Sequence, residues 1–164
     1  MIFVGDSNSV EPKGGAKRRG YELVAFWHPV DWLGIDAVCT GSRARNLDIA
    51  AAGGPHVEGA VEHAGEIGVA ATRNRWEFSA RLRYLGPYAL LPDNSQRAQA
   101  ETMLNLRLAY DFQQITLYGE LLNVLDHQGK DIVYFYENQF DPDGGRVSRA
   151  EEPRSIRVGL KYKF

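Results

Sequence analysis

The sequence is short of nearly everything that marks a helical or disulfide-built protein. Cys39 is the sole cysteine, so no internal disulfide can form, and it is compatible with any compartment. No apolar run approaches the roughly 20 residues that a spanning helix needs, which excludes a helical membrane protein. Helical periodicity is almost missing, and Pro and Gly recur too often for long helices. A net charge of -2 gives no argument for nucleic acid as a partner, and the cluster Lys13, Lys17, Arg18 and Arg19 reads as a solvated loop. No basic lead or long apolar stretch follows Met1, so no signal peptide opens the chain. The 164 residues fit one domain, and 44% hydrophobic residues would support a sizeable core. Mean hydropathy of -0.36 resembles that of a soluble protein. The inference is weak, because a transmembrane barrel dilutes its lipid face with polar lumen and loops.

What the chain has is period two. The last stretch, Arg154 to Phe164, puts Ile156, Val158, Leu160, Tyr162 and Phe164 on one parity and Ser155, Arg157, Gly159, Lys161 and Lys163 on the other. An outer-membrane strand has this pattern: apolar side chains to lipid, polar ones to the lumen, an aromatic at the interface. The same alternation runs through Tyr21–Trp27, Leu33–Cys39, Ile67–Ala71, Trp76–Tyr84, Leu104–Phe112 and Ile115–Leu121. A short apolar start at Ile2 to Val4 precedes a polar stretch, Gly5 to Arg19, read as a loop. Ile132 to Tyr136, inside the polar region Asp126 to Pro153, reads as a strand prolonged beyond the bilayer.

Connections alternate in length. Short turns are expected at Pro29 to Asp31, Thr72 to Arg75 and Phe112 to Gln114, with long loops between them. That is the up-and-down layout of outer-membrane barrels, with short periplasmic turns and longer outer loops. Charge also stays off the apolar parity: slipping the last strand by one residue would put Arg157, Lys161 and Lys163 into lipid, at about 2–4 kcal/mol each near the midplane. Trp32, Trp76, Tyr84, Tyr110, Phe112, Tyr162 and Phe164 fall near strand ends, as an interface girdle requires.

A soluble lipocalin-like ligand-binding barrel of this length would alternate too. Against it stand the inward Arg81, Arg83, Arg107, Arg157, Lys161 and Lys163, which suit a polar lumen and not an apolar calyx. A small self-standing outer-membrane barrel is the third reading. No catalytic motif supports an enzyme: there is no Gly-x-Ser-x-Gly, no Cys–His pairing at Cys39 and no paired carboxylates in a supporting context. His56, Glu58 and His63 share a loop at metal-compatible spacing but lack a fourth ligand, and Asp141-Pro142-Asp143-Gly144-Gly145 lacks the distal Glu of a calcium loop. Neither is taken as a metal site, and no cofactor is expected.

The order of motifs resembles the C-terminal part of the TonB-dependent receptors. These motifs are Phe3-Val4-Gly5-Asp6, Trp32-Leu33-Gly34-Ile35-Asp36, Ser42-Arg43-Ala44-Arg45, Leu82-Arg83-Tyr84-Leu85-Gly86-Pro87 and Asp93-Asn94-Ser95. Asn105 to Tyr110, Leu122-Asn123-Val124-Leu125-Asp126 and the terminal Glu152 to Phe164 complete the series. The resemblance implies an all-β, antiparallel up-and-down transmembrane segment, residues 1–164 holding about the last eight strands of a roughly 22-stranded barrel. It implies a receptor for a scarce nutrient, a ferric siderophore or a vitamin, in the bacterial outer membrane. TonB would act only through a plug domain that this sequence does not contain, so transport by the chain alone is not expected. The export signal would likewise lie upstream of Met1. Tyr162 and Phe164 resemble the signal read by the barrel-assembly machinery, and Tyr134, Tyr136 and Arg146 are candidate ligand contacts. Without the N-terminal strands, an open curved sheet is expected, with Arg154 to Phe164 at a free edge.

Overall fold

The computed structural model describes residues 2–4, 9–11, 14–138 and 141–164; for 2–4, 9–11, 131, 132, 136–138 and 141–144 it describes the backbone alone. In chain order the elements are β1 (Ile2–Val4), β2 (Ser9–Glu11), β3 (Ala16–Val30), β4 (Leu33–Asn46), the single turn of helix α1 (Ile49–Ala52), β5 (His63–Arg73) and β6 (Trp76–Leu85). There follow β7 (Tyr88–Ala89), β8 (Arg97–Ala98), β9 (Glu101–Phe112), β10 (Ile115–Leu122), β11 (Lys130–Asn138), β12 (Asp141–Ala150) and β13 (Ser155–Tyr162).

Seven of these strands form one antiparallel sheet in the order β13-β10-β9-β6-β5-β4-β3. Each strand lies beside its predecessor in the sheet, so the path is a meander. The sheet is open: β3 and β13 are its edges, as expected for the terminal strand. The apolar start does not supply an eighth strand, because β1 pairs with β2 in a separate ribbon.

Register carries the apolar parity unbroken across all seven strands. One cross-sheet row runs Trp27, Ile35, Val69, Ala80, Leu106, Leu121 and Ile156; the row two residues away runs Leu33, Ala71, Phe78, Leu108, Gly119 and Val158. No layer covers this face among the described residues: Val158 is 83% exposed, Trp27 62% and, one row further on, Leu160 60%. A soluble calyx would cover one face of its sheet, whereas here an entire face of Val, Leu, Ile and Phe waits for a lipid phase.

Three two-residue hairpins close one end of the sheet. Val30 pairs with Leu33, Arg73 with Trp76 and Phe112 with Ile115, leaving Asp31-Trp32, Asn74-Arg75 and Gln113-Gln114 as the turns. Asn74 (φ 57°) and Gln113 (φ 55°) adopt the positive φ of the primed turns that match strand twist. The first hairpin instead has a register shift between Trp27 and Val30, and Pro29, which has no N–H to donate, falls inside it. All the girdle aromatics but Tyr84, which lies at the other end of β6, gather at this end: Trp76 and Tyr110 lie 4.7 Å apart, Tyr162 and Phe164 5.2 Å, and Arg73 and Arg75 sit over the rings of Trp32 and Phe112. The long connections, 47–62, 86–100 and 123–154, all leave from the other end.

One stretch read as loop is strand, and one read as a prolonged sheet strand lies in a separate ribbon. β3 begins at Ala16, so Lys17, Arg18 and Arg19 are paired opposite Arg45, Ala44 and Arg43; Lys13 lies outside the described residues. The backbone of Ile132 to Tyr136 does not prolong a sheet strand. It belongs to β11, which pairs with β12 in a ribbon of its own.

Candidate functional site

The opposite face of the sheet is polar and cross-linked. Arg81 on β6 reaches both Glu66 on β5 and Asp36 on β4, the latter at 3.5 Å, and the three follow from one register: Asp36 faces Gly68, which faces Arg81. Gly68 leaves room for this pairing, because a Cβ there would push the Asp36 carboxylate aside. Further along, Arg107 pairs with Glu120 at 2.6 Å and stacks on the Tyr118 ring 4.3 Å away, while Arg157 meets Glu152 at 2.7 Å. Each pair is partly solvated and worth little alone. Together they make a wall that holds its cations by paired carboxylates, as a water-facing lumen allows and lipid forbids.

The inner face is not uniformly polar. On β3, Val24 and Phe26 share the parity of Glu22, and Val24 is opposite Val38 on β4. Phe26 is 75% exposed, so this edge of the wall offers apolar surface on both sides.

The three long connections pack into one outer cap. The amides of His56 and Gly59 donate to the carbonyls of Pro92 and Ala89, each at 3.0 Å, and Arg97 meets Glu62 at 3.3 Å, which ties the first connection to the second. The second meets the third through a small core of Tyr88, Leu90, Ala98 and Val133, with Val61 and Phe135 packed against it. Arg146 donates from Nε and Nη2 to Gln96 Oε1 at 3.1 and 2.6 Å. Beneath, Asn123 (φ 47°) is buried: its Nδ2 donates to the His127 and Glu152 carbonyls, while its Oδ1 accepts from the His127 amide. Its own N–H donates to Asn105 Oδ1 at 3.0 Å.

The sequence-derived contact residues divide. Phe135 is opposite Arg146 in the ribbon and Tyr134 opposite Val147, so Arg146 faces the cap core with Phe135 while Tyr134, 61% exposed, takes the other face. Tyr136 is opposite Gly145, and its side chain lies outside the described residues. The structure therefore does not bring Tyr134 and Arg146 together. Between ribbon and sheet lies a hollow of about 150 Å³ lined by Gln99, Glu101, His127, Lys130, Val133 and Arg146. Sequence reasoning missed His127 and Lys130 because nothing in their local pattern sets them apart from other loop residues. The hollow is below the roughly 300 Å³ at which small-molecule sites begin, so it can hold only part of a ligand. His56 is occupied within the cap, its Nδ1 3.3 Å from the Pro92 carbonyl, and among the described residues no three His, Cys, Asp or Glu side chains gather as a metal site.

A meander that is apolar outside, ion-paired inside, tightly turned at one end and capped at the other is a transmembrane barrel wall, and a sheet with such a face belongs in the outer membrane. No family model and no curated protein sequence matches the chain. Solved structures do. It superimposes on the ferric yersiniabactin uptake receptor FyuA from Yersinia pestis with a TM-score of 0.76 and 18% identity, over 91% of this chain and 24% of the receptor. For the siderophore receptor PiuA from Acinetobacter baumannii the values are 0.72, 14%, 91% and 22%, and for the copper transporter OprC 0.66, 13%, 91% and 24%. The chain thus has the barrel fold of TonB-dependent outer-membrane receptors and spans about a quarter of their length. The resemblance drawn from its motifs holds at the level of fold.

Proposed function

We propose that the chain is the C-terminal barrel portion of a TonB-dependent receptor that takes up a scarce nutrient, a ferric siderophore before a vitamin. The observation that carries this reading is the outer cap: three long connections welded above a seven-stranded wall whose lumenal face is lined by paired charge. Structures named for ferric yersiniabactin and siderophore uptake share the fold, and OprC, named for copper, keeps the cargo from being fixed by fold alone. The role is transport and not catalysis. Residues 1–164 would be one partial barrel domain, paired with preceding strands along the free β3 edge and with the first barrel strand along β13. They would surround a plug through which TonB acts. Tyr162 and Phe164 would be read by the barrel-assembly machinery.

Lys130, His127 and Arg146 line the hollow with one carboxylate, Glu101, so an anionic metal chelate is the cargo this surface suits, while Tyr134 stands exposed on the other face of the ribbon. The test is growth under iron limitation of cells carrying the complete gene, with Lys130→Glu and Tyr134→Ala variants beside it. Uptake of a labelled ferric chelate that falls several-fold in Lys130→Glu, with unchanged surface abundance, supports the reading. Wild-type cells that take up no ferric chelate tried overturn the cargo class.

A further inference from the structure

The upper end of the β3–β4 hairpin carries four cations where the sheet's outward parity would otherwise be apolar. Lys17 lies directly opposite Arg45, and Arg19 opposite Arg43; both pairs share the parity of Leu23, Ala25 and Trp27. Opposed residues in a sheet have Cβ atoms about 4.5–5.5 Å apart, and like charges so placed repel. Among the described residues none of the four pairs with a carboxylate. Glu62, which lines the same surface depression of about 580 Å³, is engaged by Arg97, and Asp48 caps the Ala51 amide. The next row down is Tyr21 opposite Gly41, and the Tyr21 ring covers that glycine so closely that a Cβ there would sit 2.6 Å from Cε1.

Length places this cluster at the membrane surface. β3 has 15 residues, and crossing the bilayer takes about 9–11. Counted from the periplasmic hairpin, the upper five or so, Ala16 to Gly20, project past the apolar band. An outward-facing tyrosine therefore marks the interface, and the cations begin one row above it, at headgroup depth.

We propose that Lys17, Arg19, Arg43 and Arg45 form a binding site for the phosphate groups of an outer-leaflet lipid, whose acyl chains lie on the apolar face below, along Leu23, Ala37 and Ile67. Three arginines can each present a planar fork to phosphate oxygens, and an anionic headgroup relieves the cross-strand repulsion that no described carboxylate answers. A dissolved anion would satisfy the charge but gains nothing from the contiguous apolar face, which is why the lipid is the occupant chosen.

The full chain in zwitterionic detergent micelles, probed by native mass spectrometry with bis-phosphorylated lipid A, dephosphorylated lipid A and inorganic phosphate, tests this. Expected is retention of bis-phosphorylated lipid A by the wild type that exceeds retention of the dephosphorylated form at least tenfold and resists equimolar inorganic phosphate. Lys17→Gln/Arg19→Gln/Arg43→Gln/Arg45→Gln should lose that retention, while Lys161→Gln/Lys163→Gln, at the periplasmic end, should keep it. Equal retention of the two lipid A forms by the wild type, displacement by inorganic phosphate, or retention undiminished in the quadruple variant would each overturn the proposal. The wild-type arms stand even if that variant does not fold. Uptake plays no part in the readout, so this result and that for the cargo are separable.

Discussion

The Asn123 side-chain amide donates to the Glu152 carbonyl oxygen at 3.1 Å, tying the first residue after β10 to the approach of β13 and so closing the base of the whole 123–154 excursion. The same side chain also meets the amide and the carbonyl of His127. Removing it breaks three part-buried hydrogen bonds at once and empties a fully buried position. Asn123→Ala is expected to lower the unfolding free energy in detergent by about 2–4 kcal/mol. Asn123→Asp, which keeps the acceptor but loses the donor to His127 and Glu152, should lose comparably. The check is denaturant-induced loss of heat-modifiable gel mobility; an unchanged midpoint for both variants would leave the tie without energetic weight.

Tyr118 on β10 lies over Gly159 on β13, so closely that the Tyr118 ring occupies the space of a Cβ at 159. The ring cannot simply swing away, because Arg107 is stacked 4.3 Å from its centroid and is itself held by Glu120. Gly159→Val should therefore destabilise by about 1–3 kcal/mol, the usual cost of overpacking. Tyr118→Ala should recover part of that loss, so the double variant will be more stable than the sum of the singles. Strict additivity in the cycle would show that the ring yields freely.

The strands of the wall were legible because a half-lipid, half-water environment imposes period two on every crossing residue. That is why alternation alone assigns Ile156, Val158 and Leu160 to one face. The turns were legible within a residue or two from Asn74 and the Gln113-Gln114 pair. Legibility stopped where the bilayer stops. Ala16 to Gly20 continue a strand above the band, where cations replace apolar residues on the outward parity, so the stretch reads as a polar loop. The β11–β12 and β7–β8 ribbons share that problem: each is held by a few cap contacts, such as the Tyr88 hydroxyl to the Val133 carbonyl at 3.4 Å, and neither must present an apolar face. The separation of Tyr134 from Arg146 depends on pairing register, which no single strand's sequence contains.

A charge moved by one position should discriminate between the two faces. Val158 is outward on β13 and Arg157 inward, where it meets Glu152. Val158→Arg is expected to cost about 2–4 kcal/mol when the chain folds into bilayers. Lys161→Gln, on the inner face, is expected to stay within about 0.5 kcal/mol. Folding of both variants into lipid vesicles, read by tryptophan fluorescence against denaturant, measures the difference. Equal stabilities would contradict the assignment of faces.

Asp93 supplies a pH-sensitive joint in the cap. Its Oδ1 accepts from the Ser95 amide at 3.0 Å and the Ser95 hydroxyl at 2.7 Å, which together hold its carboxyl below the ordinary aspartate value, the amide contributing most. Because the folded pKa is depressed, the turn's contribution is complete above the unfolded pKa and is lost as pH falls through the lower folded value. Ser95→Ala removes the hydroxyl but leaves the amide, so the Asp93 pKa should rise only part of the way back. Carboxyl carbon shifts followed by NMR across the acid range give both values. If Ser95→Ala leaves the titration unmoved, the hydroxyl has no part in holding the ionised turn; if it moves the Asp93 pKa all the way to the ordinary value, the amide does not hold the charge either.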